Sequence, residues 1–71
     1  MVEVFKTNIS TKKKAKQVTI FLKELFPVAK ITFDLEDCDN ILRIETVDAS
    51  IDDKLVIELL NQNGFYTEAL S

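Results

Sequence analysis

The spacing of apolar residues changes period at Pro27, and this change constrains the fold more than any other feature. Before it, Ala15, Val18, Phe21, Leu22, Leu25 and Phe26 recur in steps of three and four. That spacing makes one apolar stripe on a helix. After it, Ala29, Ile31, Phe33 and Leu35 alternate with Lys30, Thr32 and Asp34, as in a strand with one buried face. Proline disfavours helical geometry in the residue before it, so the helix stops there.

The flanking segments extend the pattern. VEVFK, residues 2–6, alternates strand-forming residues and predicts a short strand. Ser10 or Thr11 can cap the helix, which spans 11–26. The alternating strand covers 28–35, and residues 36–40 carry polar turn chemistry. A strand over 41–47 completes a hairpin. Residues 48–50 include further cap candidates. A second helix over 51–63 carries Ile51, Leu55, Val56, Leu59 and Leu60, and Asn63 or Gly64 can take the left-handed conformation at its end. A last short strand covers 65–70. The order β-α-β-β-α-β predicts one α+β domain over 1–71: a ferredoxin-like sandwich with two helices on one face of a four-stranded antiparallel sheet. The other sheet face is expected to be wet, with Glu3, Lys30, Thr32, Arg43, Glu45 and Thr67 on it. In this topology the β1–α1 loop, the β2–β3 hairpin and the α2–β4 turn meet at one end, which is therefore the candidate site.

Charge is divided unevenly along the chain. Residues 1–23 hold six lysines and one acid, +5, and residues 24–71 hold three cations and eleven acids, −8. The overall −3 argues against non-specific nucleic-acid binding, while a local basic patch attracts anions or acidic surfaces. No apolar run reaches the ~18 residues of a membrane helix. No signal-peptide core is expected, and a single cysteine, Cys38, fits a reducing compartment, so the expected location is the cytoplasm with no membrane attachment.

At this level the chain resembles the heavy-metal-associated domain family, which includes copper chaperones and the N-terminal domains of metal-pumping ATPases. That family's motif, Gly-Met-x-Cys-x-x-Cys, leads into the first helix, with Val four and Leu eight residues after the second Cys. Val18 and Leu22 match the last two positions. Asn8 and Ile9 then stand at Gly-Met, Thr11 at the first Cys and Lys14 at the second. Gly64-Phe65 is similar to the Gly-aromatic pair that packs near the metal in the family. The resemblance implies the fold. It also implies docking of a basic helix surface onto an acidic partner.

The departure from the motif argues against the family's metal chemistry, because soft Cu(I) and Zn(II) sites need thiolates. Threonine is a poor donor and an ammonium repels a cation. The expected function is therefore a small non-catalytic interaction domain with no cofactor, monomeric or weakly dimeric, using Thr11, Lys12, Lys13, Lys14 and Phe65. The lysines stand where the helix dipole is already positive, an unfavourable place for cations. They read either as an anion-docking site or as a solvated helix face. A sharper version has Lys14 supplying permanently the charge a metal would bring.

The alternative is a Cu(I) or Zn(II) carrier that joins two chains through Cys38. That route needs the thiolate, which Asp37 and Asp39 disfavour, and is lost in Cys38→Ser. Docking through lysines ignores that change and weakens with salt. The acidic hairpin lacks the spacing and glycine of a Ca²⁺ loop. Phe5, Phe33 and Phe65 do not compose a stacking surface for RNA. There is no histidine and no nucleophile with a recognisable base, so catalysis is not expected.

Overall fold

The computed structural model describes residues 1–36, 38–47 and 51–70. Six elements follow in order: β1 (Val2–Thr7), α1 (Lys12–Leu25), β2 (Lys30–Asp34), β3 (Ile41–Glu45), α2 (Asp53–Gln62) and β4 (Thr67–Ala69). The sheet order is β2-β3-β1-β4, with every neighbouring pair antiparallel. This is the ferredoxin-like α+β arrangement, with α1 packed against β2 and α2 against β4.

The core lies between the helices and the sheet. Phe5, Leu42 and Ile44 from the strands meet Ala15, Val18 and Leu22 from α1 and Val56 and Leu60 from α2, with Ile9, Ala29 and Ile51 closing the edges. Phe5 pairs with Leu42 on one side and Ala69 on the other, so one aromatic side chain anchors three strands.

The helix ends follow local rules. Thr11 caps α1, its hydroxyl accepting the Lys14 amide at 3.2 Å. Asp52 caps α2, its carboxylate accepting the Lys54 and Leu55 amides at 3.1 and 3.3 Å. The cap candidates at 48–50 lie outside the described residues. Gly64, at φ +86°, ends α2. The Phe65 amide donates to Leu60 O at 2.9 Å and the Gly64 amide to Asn61 O at 3.0 Å. Those two bonds make a Schellman turn, which needs the left-handed residue.

Two sequence expectations are corrected here. Glu3 pairs with Ile44 and Thr67 with Thr7, so both side chains sit on the helix-covered face and not on the open one. Thr67 is buried, and its hydroxyl has no hydrogen-bond partner among the described residues. The strands are also shorter than their apolar patterns. Ala29 is held in a turn by its amide bond to Phe26 O at 3.0 Å, and the Schellman turn occupies Phe65.

Glu3 faces the first turn of α2, where the Oδ1 oxygen of Asp53 is buried with no hydrogen-bond partner recorded among the described residues. Burial of the Glu3 carboxyl raises its pKa, and the neighbouring Asp53 charge and a hydrogen bond to Asp53 raise it further. The native state therefore holds the Glu3 proton more tightly than the unfolded chain does. The stability this group contributes is fully present in acid. It is lost as pH rises from the ordinary glutamate range through the raised native value. Glu3→Gln, whose amide can donate to Asp53 at any pH, should stabilise the protein at neutral pH. The gain should shrink toward zero in acid. Urea melts of both chains between pH 4 and 7 check this, and an equal gain at every pH would mean that the two carboxyls do not interact.

Candidate functional site

Three loops meet at one end of the sheet, as the topology requires, and Thr7 and Asn8 bind them together. The buried Thr7 hydroxyl donates to Asn40 O at 2.7 Å and accepts the Ile9 amide at 3.1 Å. The Thr7 amide donates to Asp39 O at 3.2 Å. These bonds fasten the β2–β3 hairpin to the start of the β1–α1 loop. Asn8 does the same for the α2–β4 turn: its side-chain oxygen accepts the Tyr66 amide at 2.9 Å, and its own amide donates to Tyr66 O at 3.3 Å. Asn40 itself holds φ +47°, a left-handed geometry that asparagine tolerates better than most residues. None of these roles was read from the sequence. The only prior signal was the turn-forming character of Thr7-Asn8 and Asn40.

The α1 N-terminus stands on this fastened base. Ser10, Thr11, Lys12, Lys13, Lys14 and Lys16 are all exposed, and the first turn contains no acid. Among the described residues none of these four lysines makes an ion pair. Asp39 pairs instead with Lys6, at 3.5 Å. Asp37 lies outside the described residues. Cys38 is exposed and free on the hairpin.

Phe65 is half-buried and turns toward the helices, where it lines a shallow groove with Gln17, Ile20, Phe21 and Asn63. It packs against the core. Phe5 is fully buried and Phe33 half-buried against the core, so neither ring is offered on the open sheet face. Tyr66 is exposed, and its hydroxyl donates to Glu68 at 2.7 Å. That bond to the carboxylate, with lesser contributions from burial and from the Glu68 charge, raises the phenol pKa.

A dithiol metal does not fit the residues at the start of α1. The Thr11 oxygen is already occupied as the helix cap, and an exposed ammonium stands at residue 14. Among the described residues no group of three or more His, Cys, Asp or Glu side chains could hold an ion. Nor is any described helix long and apolar enough to cross a membrane.

The fold and this end together define a small α+β domain with a basic helix start above three hydrogen-bonded loops. No family model, curated protein or solved structure matches the chain.

Proposed function

We propose that this chain is a small non-catalytic interaction domain of the heavy-metal-associated type, whose α1 start docks an acidic protein surface. One observation carries the reading. Lys12, Lys13 and Lys14 are exposed without an ion-pair partner among the described residues, on a turn whose footing is fixed by the Thr7 and Asn8 bonds. Charges held on a rigid base lose less conformational entropy on binding than charges on a mobile loop. Free amides at the helix start add to the same positive potential. Lys14 occupies the position of the second family thiolate, so its ammonium supplies a fixed positive charge there.

The test uses polyglutamate as the acidic probe, titrated into labelled protein and followed by amide chemical shifts. Shifts should concentrate at residues 10–16 and weaken steeply as salt is raised, because exposed charges are screened beyond ~8 Å at physiological ionic strength. Replacing Lys12, Lys13 and Lys14 by Glu should remove them. Equal shifts in the reversed chain, or shifts scattered over the molecule, would sink the reading.

A second reading, capture of Cu(I) or Zn(II) between two chains, rests on the exposed free thiol of Cys38 at the same end.

A further inference from the structure

The two edges of the sheet are unlike each other. β4 is three residues long, Thr67-Glu68-Ala69. Pairing it antiparallel with a second copy about its middle residue would set Glu68 against Glu68, a like-charge pair that disfavours association. β2 is the other edge, and its sequence is Lys30-Ile31-Thr32-Phe33-Asp34. About Thr32 this strand is self-complementary. Lys30 falls opposite Asp34 of a second copy, Ile31 opposite Phe33, and Thr32 opposite Thr32.

The faces agree as well. Lys30, Thr32 and Asp34 are exposed on the open side, and Ile31 and Phe33 are half-buried on the helix side. The register therefore gives two opposite-charge pairs on the wet face and two apolar pairs on the covered face. A shift by one residue would set the Lys30 face against the Ile31 face and lose both. The strand's interior, Ile31-Thr32-Phe33, carries no proline and no charge to block pairing.

We infer that β2 is a self-association edge: two copies of this chain pair their β2 strands antiparallel about Thr32, joining two four-stranded sheets into one of eight strands. The contact is isologous, as two-fold symmetry requires. It is small, one short strand from each copy, so the dimer belongs at the weak end of specific interfaces. Cys38 lies beyond the Asp34 end of the strand, which puts the two thiols at opposite ends of the seam. This dimer is therefore not one that shares a metal through Cys38.

Sedimentation equilibrium over rising concentration tests this with two charge variants. Asp34→Lys leaves only cations at the paired positions and Lys30→Asp leaves only anions. Each pair contributes a modest free energy, so either reversal alone should weaken self-association about tenfold or more. An equimolar mixture of the two variants should restore association at least to the wild-type level, as a heterodimer. The inference fails if the wild type stays monomeric at ~1 mM, if the variants associate like the wild type, or if mixing restores nothing. To separate a loss of pairing from a loss of folding in the charge variants, a second measurement stands beside it. Thr32→Cys in a Cys38→Ser background should cross-link to twice the monomer mass under mild oxidation, since residues directly opposite bring their Cβ atoms within ~4.5–5.5 Å. Val28→Cys, 84% exposed but outside the strand, should not. Equal cross-linking of both would overturn the register.

Discussion

Phe5→Ala should remove a large part of the protein's stability at 25 °C. Phe5 is fully buried on β1, a central strand, opposite Leu42 and Ala69. Truncating a buried phenylalanine costs ~3–5 kcal/mol, because transfer energy and cavity energy add. Whole-chain stability is roughly 0.05–0.15 kcal/mol per residue, about 4–11 kcal/mol for a chain of this length. The substitution therefore removes roughly a quarter or more of the total. Val2→Ala, on the same strand but half-exposed on the open face, should cost under ~1 kcal/mol. Urea melts of the two variants measure the contrast. It tests the register directly, because a one-residue slip exchanges the faces of β1 and would exchange the two outcomes.

That strand also marks where sequence reasoning reached its limit. In VEVFK, Val2 and Val4 share a face with Lys6, while Glu3 shares one with Phe5. Each face mixes apolar with charged residues, so alternation alone does not say which is buried. Polarity suggested Glu3 outward, but Phe5 decides the matter. Fully burying such a ring is worth ~1.5–3 kcal/mol, and Glu3 sits only half-buried, beside the α2 start. Where alternation was clean, as in Ile31, Thr32 and Phe33, the face was legible in advance. So were the element order and the meeting of the three loops, which topology dictates once the order is known.

The bonds that fasten those loops were not legible. Thr7, Asn8 and Asn40 act through partners remote in sequence, and no local pattern distinguishes them from ordinary turn residues. The α2 cap was misread for a simpler reason: the sequence put the cap candidates at 48–50 and Asp52 inside the helix, whereas the helix starts at Asp53 and Asp52 caps it. The lysines were legible as an anomaly, a basic first turn against the helix dipole. The occupant of that surface is a property of a second molecule.

The anomaly makes a second large effect calculable, with a sign opposite to that of a core substitution. Replacing Lys12, Lys13 and Lys14 by Glu should raise stability. A charge in the first turn is worth ~0.3–1 kcal/mol, and each reversal turns repulsion into attraction. The three together should contribute at most about 2–6 kcal/mol before self-repulsion, with a Tm rise of ~4–8 °C for each kcal/mol in a domain of this size. Net charge falls from −3 to −9 in the variant, the result of three changes of −2. Added self-repulsion offsets part of the gain, so the measurement belongs near 0.15 M salt. Lys23→Glu is the control. It makes the same change of charge in the last turn of α1, where a cation is favoured and where Lys23 donates to Ala29 O. It should lower stability. If the triple variant is more stable yet no longer binds polyglutamate, the lysines are held against their own helix for a partner. If it is more stable and binds polyglutamate as before, they are a solvated face. If it is less stable, the lysines hold the fold together through contacts with the acidic hairpin, and the docking surface is not free.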